Sequence, residues 1–285
     1  MNTTRGRLNK VLRFSTVDGP GNRFVVFMQG CNFNCVNCHN PYTISDCNHC
    51  GLCVEPCPEL ALTLEPGPRV VVDRAMCTGC DVCIEVCPFD ATPLAYEASV
   101  DEVVEQIRET AKFISGITVS GGEATEQIDF LVDLFTAVKA DPALAKLTTF
   151  VDTNGSAPRE VWDRLAPVMD GAMVDLKALD ETTHIQLTAA SNVEVLASIE
   201  YLASIDRLYE VRLLIMPGYN DDPETVERTT AWLRGVGPDM RIVVIGFRSH
   251  GLRPGFEYLA EASPEATAKI GEQVRNAGFS DVLVV

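Results

Sequence analysis

Gly30-Cys31-Asn32-Phe33-Asn34-Cys35-Val36-Asn37-Cys38-His39-Asn40-Pro41 is the stretch on which the reading of this chain turns. Three cysteines stand at C-x3-C-x2-C spacing, directly after the apolar run Phe24-Val25-Val26-Phe27. Three thiolates on one short loop suit three corners of a cubane iron–sulfur cluster, a group normally held by four cysteines. An iron left with an open position can chelate a small molecule directly, as the open position of a catalytic metal does. A zinc knuckle or three buried thiols are the competing readings, and the remaining cysteines weigh against both.

There are 11 cysteines: Cys31, Cys35 and Cys38, then Cys47, Cys50, Cys53 and Cys57, then Cys77, Cys80, Cys83 and Cys87. None is spare to complete the first loop. An odd count in a long chain with no apolar signal-type segment points to metal rather than disulfides. The second and third sets each read C-x2-C-x2-C-x3-C-P, ending in Cys57-Pro58 and Cys87-Pro88. That is the bacterial two-cluster ferredoxin pattern, in which the last cysteine of each run ligates the other cluster. One cluster then takes Cys47, Cys50, Cys53 and Cys87, and the other Cys77, Cys80, Cys83 and Cys57. Zinc would ask for paired C-x2-C hooks and would leave the repeated x3-C-P unexplained.

The totals set outer bounds. At 285 residues and 46% hydrophobic content, the chain can bury a full core. No apolar run approaches the roughly 20 residues of a membrane span, so a cytoplasmic protein without a membrane partner is expected. A net charge of −17 disfavours nucleic acid as substrate, since phosphate binding relies on clustered Lys and Arg. A protein or small-molecule substrate fits better.

Outside the cysteine-rich region, strand-like and helix-like segments alternate. Asp18-Gly19-Pro20-Gly21 is a turn by composition, leading into a strand over 23–29. Helical periodicity runs over 100–112, 127–140, 159–165, 193–205, 223–235 and 264–276. Apolar strands are expected over 116–120, 147–152, 172–176, 208–216 and 241–245, and a last short one over 281–285. Six strands, each followed by a helix once the insert is skipped, imply a parallel sheet with helical cover. Six units fall short of the eight of a closed barrel. The expected fold class is therefore α/β, a partial, open (β/α)6 TIM-type barrel built from residues 1–43 and 92–285. Residues 44–91 form an inserted bacterial ferredoxin-like domain with two [4Fe–4S] clusters.

The strand ends carry the chemistry. Gly121 and Gly122 allow close backbone approach to a ligand, and Glu123 follows them. Asp152, in Asp152-Thr153-Asn154-Gly155, and Asp175 close two further strands, where helix capping is the plainer reading. Asp175 and Lys177 are two apart in an extended stretch and share a face. Arg212 sits within an apolar strand, and a charge so embedded needs a partner. His250 follows the sixth strand in a loop, where a lone histidine is most often a surface residue; His49 and His184 have no constellation around them.

Together these motifs resemble the glycyl-radical-enzyme activating enzymes of the radical S-adenosylmethionine (SAM) superfamily, along almost the whole chain. The carriers are Ser15-Thr16-Val17-Asp18-Gly19-Pro20-Gly21, Phe27-Met28-Gln29-Gly30-Cys31, Cys38-His39-Asn40-Pro41, Gly121-Gly122-Glu123, Asp152-Thr153-Asn154-Gly155, Asp175-Leu176-Lys177, and Arg212 ahead of Pro217-Gly218. The segments around Ala91-Thr92-Pro93 and Ser120 to Thr125 look most like the YjjW-type activases. The resemblance implies that Cys31, Cys35 and Cys38 hold a [4Fe–4S] cluster whose open iron is chelated by SAM. It implies that Gly121, Gly122 and Glu123 contact the SAM amino group, that Asp152, Asn154, Asp175 and Lys177 line the site, and that Arg212 faces the substrate loop. A monovalent cation beside the SAM carboxylate would meet Asp152, Thr153, Asp175 and His250. The implied partners are a glycyl radical enzyme and a flavodoxin- or ferredoxin-type electron donor. Two residues depart from the pattern. Ala124 replaces the proline usual after Gly-Gly-Glu, and Asn37 replaces an aromatic, which leaves adenine contact at that point to backbone groups. A radical SAM enzyme acting on a small molecule, a peptide-modifying maturase and a plain ferredoxin-like electron carrier are the alternatives.

Overall fold

The computed structural model describes residues 3–249, 252, 255–256 and 258–285. In chain order its elements are β1 (Arg5–Ser15), β2 (Arg23–Met28), β3 (Ser45–Asp46), β4 (Leu62–Glu65), β5 (Arg69–Val72), α1 (Val82–Glu85), β6 (Ala91–Thr92), β7 (Tyr96–Ser99) and α2 (Val100–Thr110). There follow β8 (Gly116–Gly121), α3 (Ile128–Ala140), β9 (Thr148–Thr153), α4 (Arg159–Leu165), β10 (Gly171–Leu176), α5 (Glu181–Thr188) and α6 (Val193–Ser204). The chain closes with β11 (Leu208–Ile215), α7 (Pro223–Val236), β12 (Arg241–Gly246), α8 (Pro264–Asn276) and β13 (Val282–Val284).

One large sheet runs in the order β13-β12-β11-β10-β9-β8-β2-β1-β7. From β2 to β13 every neighbouring pair is parallel, and from β8 onward each strand is next in sequence to its neighbour apart from the crossover helices. The order ends at β13 and β7, which do not pair with each other, so the sheet is open. Every residue of β2 is buried, the mark of a parallel strand covered on both faces. Alternate side chains Phe24, Ile117, Val119, Val151, Val174, Val211 and Ile242 pack outward in the main core with Phe130, Leu134, Trp162, Ile199 and Val274 of the helices. The other set, Thr118, Ser120, Asp152, Met173, Asp175, Glu210 and Arg212, lies on the opposite face.

A long strand and a helix escape the sequence reading. β1 carries Arg5, Arg7, Lys10 and Arg13 and has only three buried positions before its last residue, so it lacks the apolar run that marks β2. It pairs antiparallel with both β2 and β7, extending the sheet on the side away from β13. The helix α5 was equally hidden, because its apolar residues do not recur on one stripe; an Asp180 side chain accepting from the Thr183 N–H (2.8 Å) starts it. Elsewhere caps fix the helix starts. Ser99 and Glu102 form a reciprocal capping box on α2, and Asp222-Pro223 and Ser263-Pro264 open α7 and α8.

The cysteine-rich region packs around its own small cluster of Cys53, Leu62, Val70 and Cys83, beside the β4–β5 hairpin. It is tied to the main sheet by the Gln29 side-chain amide donating to Ser45 O (2.8 Å) and by an Arg7–Asp46 ion pair (2.9 Å). Among the described residues no helix is long and apolar enough to cross a membrane.

Candidate functional site

The turn Asp18-Gly19-Pro20-Gly21 and Arg23 fill the sheet interior at the amino-terminal ends of the strands. Arg23 is fully buried and donates to Thr118 Oγ1 (3.1 Å), Thr148 Oγ1 (2.5 Å) and Ile117 O (2.5 Å), with its guanidinium 4.7 Å from the Phe150 ring centroid. Burial pulls its pKa down to about 10. Thr118 Oγ1 donates to Asp18 O (2.7 Å), which fixes the turn against β8. The strands' carboxyl ends are left to line a cleft.

That cleft, about 990 Å³ of space opening to solvent, is lined by Cys31, Cys35 and Cys38 on one side. Gly121, Gly122, Asp152, Asn154, Asp175, Lys177 and Arg212, named from the sequence, line the rest together with Ser120, Leu214 and Ile245. Glu123 does not line it, and His250 lies outside the described residues.

The two glycines answer to the backbone first. Gly121 has φ +119°, and a Cβ there would meet Met28 N at 2.2 Å; a Cβ on Gly122 would meet Gly30 O at 2.1 Å. Gly122 N donates to Met28 O (3.0 Å) and Glu123 N to Gly30 O (2.7 Å), so the root of the cysteine loop is docked on the β8 loop. On its other side Gly30 N donates to Thr43 O (2.8 Å) and Cys31 N to Ile44 O (3.2 Å).

Glu123 is fully buried. Its Oε1 accepts from Thr125 N (3.0 Å), Thr125 Oγ1 (2.6 Å) and Thr153 Oγ1 (2.8 Å), and its Oε2 from Asn154 N (2.7 Å). Burial raises its pKa against the pull of those four donors. The carboxylate thus clamps the β8 and β9 loops together. Asn154 carries the clamp onward: its side-chain amide donates to Asn32 Oδ1 (2.9 Å) and reaches Cys31 Sγ at 3.9 Å.

Across the cleft floor runs a chain of charges. Ser120 Oγ donates to Asp152 Oδ2 (2.8 Å), and Arg212 Nη1 to Asp152 Oδ1 (2.7 Å). Arg212 Nε donates to Glu210 Oε1 (2.7 Å), and Glu210 Oε2 receives Arg241 Nε (3.2 Å). Lys177 Nζ donates to Asp175 Oδ2 (2.7 Å). The parallel register that sets Asp175 opposite Arg212 brings these groups together. Burial would raise the Asp175 carboxyl, but Lys177 and Arg212 outweigh it and hold it low; for Asp152 burial and neighbouring Asp175 prevail over Arg212 and hold it high. Glu210 is absent from the sequence reading, and Ser120 enters it only within the segment Ser120 to Thr125, with no site role. Glu210 had a signal, since it is two before Arg212 on the same face of one strand.

The thiols fall into sets of near neighbours. Burial pushes the Cys31 thiol up to about 12, with Glu123, Cys35 and Cys38 adding to the rise. In the cysteine-rich region Cys57 lines one cavity with Cys77, Cys80 and Cys83. Burial also raises Cys47 and Cys53, and each feels Cys87 and Cys50 among its neighbours. Among the described residues no three His, Cys, Asp or Glu side chains converge as they would on a single ion. His184 is fully buried, edge-on to Phe33 of the cysteine loop at 5.6 Å, and supports that loop from beneath.

Comparison with known proteins agrees with this geometry. The radical SAM superfamily profile matches residues 25–230. The (2S)-3-sulfopropanediol sulfolyase activating enzyme of Bilophila wadsworthia is 34% identical over 78% of this chain and 78% of its own length. The pyruvate formate-lyase-activating enzyme of Streptococcus mutans is 29% identical over 86% of this chain and 79% of its own. The crystal structure of QueE from Escherichia coli shares the fold, with a TM-score of 0.54 at 12% identity, over 99% of this chain and 94% of that one. The chain is a member of the radical SAM superfamily, and these curated relatives within it are activating enzymes.

Proposed function

We propose that this chain activates a glycyl radical enzyme by generating a radical on a glycine of that partner's loop. The observation that carries the reading is the meeting in one open cleft of Cys31, Cys35 and Cys38 with Gly121, Gly122, Asp152, Asp175, Lys177 and Arg212. The three thiolates would hold a [4Fe–4S] cluster. Once reduced by an external donor, that cluster would supply the one electron that breaks the sulfonium C–S bond of SAM, giving methionine and a 5′-deoxyadenosyl radical able to take a glycine Cα hydrogen.

The rest falls to the chain. Asp175 and Lys177 offer complementary charges to the amino and carboxylate groups of SAM. Gly121 and Gly122 leave bare backbone beside them. Arg212, anchored by Asp152 and Glu210, holds a fixed guanidinium on the cleft floor, facing an entering substrate loop. Placement is the main demand on a radical abstraction, since the hydrogen must lie within near-attack distance. A sheet that does not close gives a protein loop lateral entry. Asp152 and Asp175 each already meet a cationic side chain, so a monovalent cation there would share them with Arg212 and Lys177. Residues 1–43 and 92–285 form the partial barrel of this reading. Residues 44–91 form a ferredoxin-like insert with two further [4Fe–4S] clusters and a face for a flavodoxin- or ferredoxin-type donor.

The test is anaerobic reconstitution, reduction, and addition of SAM and a glycyl radical enzyme. A glycine-centred EPR doublet on the partner that needs both SAM and this protein supports the reading. Deoxyadenosine without the doublet across a panel of partners turns the assignment toward a small-molecule or peptide substrate, and neither product refutes it.

A further inference from the structure

Asn154 directly follows β9, beside the cysteine loop, and its position is fixed from several sides. The backbone is pinned first. Asn154 N donates to Glu123 Oε2 (2.7 Å), while the preceding Thr153 Oγ1 donates to Glu123 Oε1 (2.8 Å) and accepts from Gly155 N (3.0 Å). The side chain is pinned next, because Ser156 N donates to Asn154 Oδ1 (2.9 Å). A backbone N–H can only donate, so this contact settles which end of the carboxamide is oxygen and which is nitrogen.

The nitrogen then faces the cysteine loop. One of its two hydrogens goes to Asn32 Oδ1 (2.9 Å), and Asn32 Nδ2 in turn donates to Ser156 Oγ (2.7 Å), which closes a ring of three residues. The second hydrogen has Cys31 Sγ as its acceptor at 3.9 Å, alongside a shorter contact from Phe33 N (3.4 Å). Asn154 is only 9% exposed, so water competes little for that hydrogen. Holding Asn32 therefore uses one donor and leaves the other to act on the sulfur.

A thiolate that ligates iron carries part of the cluster's negative charge, and that charge grows when the cluster takes up one electron from an external donor. An N–H aimed at the sulfur gains more from the reduced state than from the oxidised one, and so favours reduction. We infer that the Asn154 side-chain N–H, donating to Cys31 Sγ, raises the reduction potential of the cluster that Cys31, Cys35 and Cys38 would hold. Asn154 is on this account a positioning residue that acts through Cys31, which goes beyond lining the SAM site. The inference rests on the functional reading above, because it presumes that this loop holds a cluster.

The experiment is an EPR-monitored redox titration of the anaerobically reconstituted full chain, poised with dithionite and mediators, without SAM or partner. Subtracting a parallel titration of Cys31→Ala isolates the signal of the first loop. In Asn154→Ala the one-electron reduction equilibrium of that signal should fall roughly three- to tenfold, a midpoint lowered by about 28–59 mV at about 59 mV per tenfold. The shift is modest because 3.9 Å is long for a contact to sulfur. Asn32→Ala breaks the same Asn154–Asn32 hydrogen bond but keeps the donor to sulfur, so its equilibrium should stay within about twofold of wild type, about 18 mV. Asn154→Asp keeps the acceptor for Ser156 N and exchanges the donor for a carboxylate oxygen. It should lower the midpoint further, and it reads the same contact if Asn154→Ala fails to retain the cluster. Unchanged midpoints in Asn154→Ala and Asn154→Asp overturn the inference. So does an equal shift in Asn32→Ala, which would set the effect in the shape of the loop rather than in the N–H. Wild type that loads no cluster in this loop, with no signal lost in Cys31→Ala, refutes the functional reading itself, and the inference with it.

Discussion

Replacing Glu123 with glutamine should destabilise the fold before it alters any contact with SAM. The amide keeps the shape of the side chain but exchanges one acceptor oxygen for a donor. Three donors converge on Oε1 and one, Asn154 N, on Oε2. The substituted NH2 therefore settles opposite Asn154 N, two donors facing each other in a fully buried site. A hydrogen bond to a charged acceptor is worth about 1.5–3 kcal/mol, and an orphaned buried donor costs about 1–3 kcal/mol. These overlap, and together they give a loss of about 2–4 kcal/mol. At about 2–4 °C per kcal/mol, the unfolding midpoint should fall by roughly 5–15 °C. Asn154 is the residue that holds Asn32 and reaches Cys31, so the first cluster should also be lost sooner on heating than in wild type. The assay is anaerobic thermal unfolding of cluster-loaded protein, followed by circular dichroism and cluster absorbance, with SAM affinity measured in parallel. An unchanged midpoint together with SAM affinity reduced more than about tenfold would show that Glu123 touches the cofactor and would refute the clamp.

Gly122→Ala should cost about 1–3 kcal/mol or more, because its Cβ would stand 2.1 Å from Gly30 O; iron retained by the Cys31 loop reports the outcome, and full retention contradicts the docking described. Iron analysis of double variants separates crossed from sequential ligation in the cysteine-rich region. Cys47→Ala with Cys87→Ala should lose no more iron than either alone, whereas Cys83→Ala with Cys87→Ala should lose iron from two clusters. The Cys31 thiol, raised by burial to about 12, must give up its proton to bind iron. Refilling of the first loop should therefore be more complete at about pH 8.5 than at about pH 6.5, as read from the cluster EPR signal, and a flat or inverse dependence would contradict this.

The chain shows how far local chemistry can be read without coordinates. Cysteine spacing, glycine pairs and charges embedded in apolar runs are short-range features, and they singled out the three-cysteine loop, Gly121, Gly122, Asp152, Asp175, Lys177 and Arg212. Apolar periodicity located the six crossover strands and their helices to within a residue or two, because a covered parallel strand needs an unbroken apolar run. The polar strand β1 and the stripe-less helix α5 carry no such signal, since their formation depends on neighbours rather than on their own pattern. Only the tertiary structure decided which side each polar group faces. The spacing Gly-Gly-Glu is the same whether the carboxylate enters the cleft or turns beneath it; the donors of Thr125, Thr153 and Asn154 draw Glu123 beneath. Sequence by itself determined which groups this protein brings to its chemistry. The register of β9, β10 and β11, a pairing between segments far apart in the chain, decided where those groups point and which of them are left for a ligand.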